Sequence, residues 1–250
     1  MIPADLPVVF VHGWMFDARV WAASAGRCAP TRAAATIDLP GYGSKVNDSM
    51  ADLAGTAAAM QRAVTGPAVW VAWSLGGLIA LRIAAAVPER VAALVLVAAT
   101  PRFLTAGDWP HAVPASDHNR MAQRLAGDIE SVQRRFAMLT ARADASEPEV
   151  RAVLEQIART PPRPAITTLR AGLAMLAQAD LRREFTRLTC PLALIMGDRD
   201  PLLPIGAAAA MSALNPGLRV QVIAGAAHAP FLSQPRAFSD HLSGFLSTAA

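Results

Sequence analysis

The chain has 250 residues, 53% of them hydrophobic, which suits one large α/β domain or a core with an insertion and argues against general disorder. Its apolar runs are short, and none reaches the ~20 residues that span a bilayer. The 23 basic residues outnumber the 19 acidic ones for a formal charge of +4, yet they are scattered, unlike those of a nucleic-acid binder. Nearly all are arginine, with Lys45 the single lysine. They thicken between Arg120 and Arg187, which fits either an acidic partner or a solvated helical surface.

In chain order, the opening "MIPADLPVVFVHG" lacks the basic, apolar and small-residue layout of a signal peptide. The run 7–11 reads as a first buried strand, 33–38 as a second and 68–73 as a third. Between the last two, a helix is expected over 49–65, with Ser49 capping it and Asp52 adding negative charge to its first turn. A second helix is expected over 75–87, ending before Pro88. Strands follow at 92–98, 191–196 and 218–223, and a helix over 234–247 closes the chain. This alternation predicts a mostly parallel sheet covered on both faces. One interval interrupts it. Residues 108–187 show no strand pattern and carry helix-like stretches near 116–142, 147–159 and 164–178. The expected organisation is a core of 1–107 and 188–250 with a helical lid at 108–187.

Cys28 and Cys190 have neither CxxC nor Cys/His metal spacing. They read as buried, reduced thiols, which suits a cytoplasmic protein.

The chemistry-bearing stretch is "VAWSLGG". Ser74 lies where a strand meets a helix, and small neighbours let the two approach, as in the G-x-S-x-G turn that exposes a nucleophile. Ala72 replaces the first glycine of that pattern, Gly76 supplies the second, and Gly77 permits close helix packing. A plain helix N-cap is the other reading of Ser74. A serine nucleophile needs a base, and His228 in "GAAHAPF" follows the last strand. Of the other histidines, His12 reads as shaping a loop and His241 as lying on a helix surface, while His111 and His118 have no strong reading. The base needs a carboxylate to fix its tautomer. Asp198 and Asp200 follow a strand in "MGDRDPLLP", where both could also cap a turn. The order Ser74, Asp200, His228 is a known triad order. Backbone N–H groups of Leu75 and Trp14 are the expected oxyanion donors, and the Trp14 indole could wall an acyl pocket.

Together, "VHGW", "DLPGYGSK", "WSLGGLIA", "PERVAALVLVA", "MGDRDPLLP" and "AAHAPF" resemble the α/β-hydrolase superfamily over almost the whole chain. A narrower similarity, carried by "WSLGGL", "ATPRF", "DWP", "DLR" and "AAHAPF" before "LSQP", is to the pimeloyl-[acyl-carrier protein] methyl ester esterases of biotin synthesis. The resemblance implies an α/β-hydrolase fold and an esterase that removes the methyl group from a carrier-bound pimeloyl chain; as a departure from the family, little precedes "PVVFV", so the usual leading β-hairpin is expected to be reduced or absent. It implies Ser74, Asp200 and His228 as the triad, and Trp14 and Leu75 near the oxyanion. Phe136, Ala137, Met138, Leu139 and Thr140 would line the acyl channel. Arg135, with Arg124, Arg134, Arg142 and Arg151, would face the acidic acyl-carrier protein. No metal or organic cofactor is implied, and neither a membrane nor a nucleic-acid partner; a monomer is expected. The same triad also serves general short-chain carboxylesterases, C–C hydrolases and cofactor-free haloperoxidases, and the fold also serves as a binding module.

Overall fold

The computed structural model describes residues 2–28 and 32–248, apart from the side chains of Cys28 and Thr248. Six strands form one sheet in the order β2-β1-β3-β4-β5-β6, and every neighbouring pair is parallel. They are β1 (Val8–Val11), β2 (Ala34–Ile37), β3 (Ala68–Trp73), β4 (Val91–Val97), β5 (Leu192–Gly197) and β6 (Leu218–Ile223). β1, β3 and β5 are buried along their full length and nearly all of β4 is too, as continuous Val/Leu/Ala runs require when helices cover both faces. β2 and β6 are the edges and are more exposed. Among the described residues no strand precedes β1.

The helices are α1 (Ala25–Cys28), α2 (Leu53–Arg62), α3 (Leu75–Ala86), α4 (Ala115–Leu125), α5 (Ile129–Ala141), α6 (Glu147–Arg159), α7 (Ile166–Gln178), α8 (Arg182–Phe185), α9 (Gly206–Leu214), α10 (Pro230–Ser233) and α11 (Pro235–Thr248). α2 starts later than expected. Its cap is Asp52, whose carboxylate accepts the Gly55 N–H at 2.8 Å, and Ser49 lies outside the helix. The stretch expected as one helix over 116–142 is two. The chain breaks at Gly127, and Asp128 caps α5 by accepting the Ser131 N–H. Helix α9 was not expected. α4 to α8 all fall between β4 and β5, so a helical insertion separates two strands that are neighbours in the sheet.

Aromatic side chains form a continuous part of the core. Trp21 stacks on Phe231 at 4.0 Å, and Phe16 stacks on both Trp73 and Phe136. Trp21, Phe16 and Trp73 are almost wholly buried, and each such side chain contributes on the order of 1.5–3 kcal/mol of transfer free energy.

The two ends of the insertion are clasped by charge. Asp180 receives hydrogen bonds from Arg182 at 2.7 Å and Arg102 at 2.5 Å, and Arg182 also reaches Asp108 at 2.9 Å. The Arg182 guanidinium lies over the Trp109 ring, 5.6 Å from its centroid. Arg182, and then Arg102, hold the Asp180 carboxyl down at about 2 despite its partial burial.

Candidate active site

The sheet order reverses direction of growth between β1 and β3, the place where open parallel sheets leave a crevice at their C-terminal ends. The chain leaves β3 at Ser74 and enters α3 at once. Ser74 has φ 54° and ψ −117°, a strained conformation for a residue with a side chain and one that costs about 1–3 kcal/mol. Its N–H donates to the Val97 carbonyl of β4, and its side chain makes no capping bond to α3. A serine acting only as an N-cap would make that bond. The turn is tight because its neighbours are small. A Cβ on Gly76 would lie 2.4 Å from the His12 carbonyl oxygen, and one on Gly77 would lie 2.4 Å from the Ala99 Cβ. Ala72 is fully buried in β3 and pairs with Val11 and Leu96.

Asp200 and His228 meet on the loops after β5 and β6. His228 Nδ1 donates to Asp200 Oδ2 at 2.7 Å, with both side chains buried. The other Asp200 oxygen accepts the N–H groups of Leu202 and Leu203, which fixes the carboxylate. An ionised carboxylate only accepts, so Nδ1 carries the proton and Nε2 is left as the basic nitrogen. Nε2 is buried and has no hydrogen-bond partner among the described residues. The Trp73 indole donates to the His228 carbonyl at 2.7 Å, so the residue before the serine holds the histidine loop. Asp198 does something else. Its carboxylate accepts the Gly225 N–H at 2.7 Å and shapes the turn after β6.

The loop after β1 lies against the serine; a Cβ on Gly13 would be 3.1 Å from the Ser74 Cβ. His12 sits behind this loop, with Nδ1 donating to the Gly13 carbonyl and Nε2 accepting the Leu39 N–H. Burial holds its basicity below the ordinary histidine value, outweighing the nearby Asp38. His12 is therefore a neutral loop brace. Asp38 works the same way from the next loop. Its carboxyl is held below the usual range, because N–H groups of Ala18 and Ser44 and the Ser44 hydroxyl outweigh the opposing effect of burial. Leu75 opens α3, so its N–H is among those a helix leaves without an intrahelical acceptor. Trp14 lines the same cavity as Ser74. Its indole donates to the Leu169 carbonyl of α7, and its ring meets Phe136 edge-on at 4.8 Å.

Ser74 opens into a mainly apolar cavity of about 170 Å³. Trp14, Phe103, Val113, Met121, Phe136, Leu139, Leu173, Leu176 and Leu202 supply its apolar lining, with Asp117, His118 and Arg142 as polar members. His118 is a buried part of this wall, with Nε2 donating to the Leu173 carbonyl at 2.9 Å. His111 is exposed, and His241 lies half-buried on α11.

The five residues 136–140 divide by helical phase. Phe136 and Leu139 face the cavity. Ala137 and Thr140 are buried within the insertion. Met138 points the other way, 42% exposed, into an outer groove of about 580 Å³. On a helix of 3.6 residues per turn, residue 138 lies far round from 136 and 139, so Met138 does not join the inner wall. The outer groove, between α5 and α6, is lined by Arg124, Arg134, Arg135 and Arg151 together with Asp128 and Glu155. Arg151 pairs with Glu155 at 3.4 Å; among the described residues Arg124, Arg134 and Arg135 have no ion pair. Arg142, expected with them, is exposed and lines the inner cavity instead, because it follows the last turn of α5.

Asp144 and Gly172 belong to this site and carry no motif. Asp144, in the turn after α5, accepts the N–H of Ala227 at 2.7 Å. Gly172 on α7 lies against the Trp14 indole, and a Cβ there would be 2.6 Å from Trp14 Cδ1. Among the described residues no cluster of His, Cys, Asp and Glu could hold a metal ion, and no helix is long and apolar enough to cross a membrane.

A strained serine, a histidine–carboxylate pair and an apolar cavity are the parts of an acyl-transfer site. A model of the alpha/beta hydrolase family matches residues 8–241. Pimeloyl-[acyl-carrier protein] methyl ester esterase of Xanthomonas oryzae pv. oryzae (strain MAFF 311018) is 37% identical over 243 residues, which cover 96% of this chain and 95% of that relative. The same-named esterase of Xylella fastidiosa (strain M12) is 37% identical over 244 residues, with the same coverage. Among solved structures, an esterase from Exiguobacterium antarcticum superposes with a TM-score of 0.83 at 21% identity, covering 97% of this chain and 92% of that one. Bromoperoxidase from Bacillus anthracis gives 0.86 at 18% identity with the same coverage. At such identities the structural likeness speaks for the fold alone. The chain belongs to the alpha/beta hydrolase family, in the group that holds these methyl ester esterases.

Proposed function

We propose that the chain is a serine esterase that hydrolyses the methyl ester of pimeloyl-[acyl-carrier protein] in biotin synthesis. The observation that carries the chemistry is the His228–Asp200 pair, with a proton fixed on Nδ1 and a free basic Nε2, at the same sheet edge as the strained Ser74. The choice of ester rests on the similarity to the named esterases over nearly the full length of both chains.

Ser74 Oγ attacks the ester carbonyl as its proton passes to His228 Nε2. Backbone N–H groups of Leu75 and Trp14 receive the oxyanion, each worth roughly 3–4 kcal/mol in such sites. The tetrahedral intermediate collapses, Nε2 gives its proton to the departing methoxide oxygen, and methanol leaves. Water then attacks the acyl-serine with Nε2 again as base, releasing the free carboxylate and regenerating Ser74. Asp200 holds the imidazole in the required tautomer and balances the imidazolium. No step calls for a metal or an organic cofactor. Residues 108–187 act as the lid, whose Phe136 and Leu139 present apolar surface to the acyl chain. Arg124, Arg134 and Arg135 of the outer groove, without an ion pair among the described residues, suit an acidic carrier, with Met138 offering it an apolar contact. Arg142 serves the mouth of the acyl cavity.

A second reading, a general short-chain carboxylesterase, draws on the small size of the inner cavity. One assay separates the two. Hydrolysis of pimeloyl methyl ester, free and carrier-bound, is compared with that of short p-nitrophenyl esters, in wild type, Ser74→Ala and Arg134→Glu/Arg135→Glu. Faster turnover of the carrier-bound ester is expected, abolished in Ser74→Ala and selectively weakened, with a higher KM, in the double charge reversal. Equal or faster turnover of free short esters, untouched by the charge reversal, rejects the carrier reading.

A further inference from the structure

The turn that joins α5 to α6, residues 142–146, is bound to the loop that carries the catalytic histidine. Asp144 is buried there at 7% exposure. One of its carboxylate oxygens accepts the N–H of Ala227, the residue just before His228, at 2.7 Å. The other accepts the Ser146 N–H at 2.8 Å and so fixes the carboxylate's own position. Two backbone bonds flank this one. The His228 N–H donates to the Thr140 carbonyl at 3.2 Å, and the Ala145 N–H donates to the Gly225 carbonyl at 2.8 Å. The loop from 225 to 228 is thus gripped at three points by the insertion.

The turn also touches the loop of the acid. Arg199, beside Asp200, donates to the Ala143 carbonyl at 3.4 Å. Ala143 itself has φ 67°, a left-handed conformation that residues with a Cβ rarely adopt. Its N–H is held by the Glu147 carboxylate at 2.9 Å. A local conformation of this kind persists only where its surroundings over-determine it.

We propose that Asp144 is a positioning residue for catalysis: it couples the α5–α6 segment to the catalytic base by fixing the backbone of Ala227 and with it the reach of His228 Nε2 toward Ser74. It acts through the backbone, and none of its bonds is to the imidazole. Asp144 lies between the helices that form the arginine groove, so any shift of those helices is delivered to the base loop. The inference rests on Ser74 and His228 as the reacting pair, but it is independent of the acyl group or carrier.

The test uses the full chain with Asp144→Ala and Asp144→Asn, and Asp144→Ser, too short to reach Ala227, as a second deletion of the contact. Three quantities are read: kcat and KM on a free short p-nitrophenyl ester, the bimolecular rate of Ser74 labelling by a fluorophosphonate, and Tm. A base loop displaced by a fraction of an ångström lowers kcat and the labelling rate about ten-fold, short of the ~10²-fold that a full 1 Å misplacement costs, with KM little changed. Asp144→Asn keeps one acceptor oxygen and recovers part of the loss. A lower Tm with kcat and labelling rate unchanged in either Asp144→Ala or Asp144→Ser overturns the proposal and leaves Asp144 a structural residue. A wild-type protein that neither labels at Ser74 nor cleaves any ester overturns the reacting pair, and this inference with it. A wild type that cleaves short esters but not the pimeloyl methyl ester overturns only the substrate assignment.

Discussion

Replacing Gly172 with alanine sets two effects of opposite sign against each other. Gly172 lies inside helix α7, and alanine there gains about 1 kcal/mol of helix propensity. The added Cβ, however, would sit 2.6 Å from Trp14 Cδ1 and 3.1 Å from both Trp14 Nε1 and Leu75 Cδ2. Carbon atoms rest at roughly 3.5–4.0 Å, so the indole must retreat by about 1 Å. It has little freedom to do so. Its Nε1 is bonded to the Leu169 carbonyl one turn earlier on the same helix, and Phe136 closes its other side. Overpacking of this kind costs ~1–3 kcal/mol, which leaves a net loss of up to about 2 kcal/mol. For a chain of this length that lowers Tm by roughly 4–8 °C at most. The functional cost is larger, because Trp14 and Leu75 flank the serine, and a shift of about 1 Å at such a site costs on the order of 10²-fold in turnover. Calorimetry and p-nitrophenyl ester kinetics on Gly172→Ala check both numbers. A raised Tm with kcat/KM unchanged would refute the close packing of α7 on Trp14.

Two further outcomes follow from the ionisable groups. Asp180, held at about 2 mainly by Arg182, lies below its unfolded value near 3.8; its stabilising effect is therefore complete above about pH 4 and fades as pH falls toward 2. Tm measured from about pH 5 down to pH 2 should show wild type and Asp180→Asn converging on acidification, and a gap that stays constant contradicts the clasp. Partial burial pushes the half-buried Cys190 thiol up to about 11, so under ~1% is thiolate at pH 8. Mass spectrometry should find the Cys190 peptide barely alkylated by iodoacetamide in the native protein and fully alkylated in denaturant; rapid native labelling speaks against that burial.

The sheet was legible because its signal is local. Six apolar runs bounded by Gly, Pro or Asp fell within a residue or two of the observed strands; for the central β1, β3, β4 and β5 the reason is that buried parallel strands tolerate few other side chains. The placement of Ser74, Asp200 and His228 past the ends of β3, β5 and β6 was readable for a similar reason, because Ser74 follows its strand directly and the other two lie on the short loops after theirs. The insertion was legible as helices but not as surfaces. Sequence spacing does not say which face of α5 meets the cavity, so Met138 and Leu139, one residue apart, could not be assigned to opposite sides. Arg142 looked like one more groove arginine, yet it follows the end of α5, the helix that carries Arg134 and Arg135. Helix α9, "GAAAAMSAL", has no side-chain cap and no charged face, so neither usual signal marked it. Asp144 and Gly172 matter through partners 83 residues away or on another element, and nothing near them in the chain marks that.

The place of the insertion has a consequence for how the molecule assembles. β4 and β5 are neighbours in the sheet, yet the whole of α4 to α8 must be looped out between them. Loop closure grows only logarithmically, so this detour costs on the order of 1.5 kcal/mol more than a short crossover such as that from β3 to β4. The equilibrium penalty is small, but the order of events is not neutral. β1, β3 and β4 can pair with one another from the first part of the chain, and Ser74 can adopt its turn with them. The acid and the base arrive only when β5 and β6 dock across the long loop. Hydrolytic competence during refolding should therefore report the last pairing, trailing any signal from the first half of the sheet.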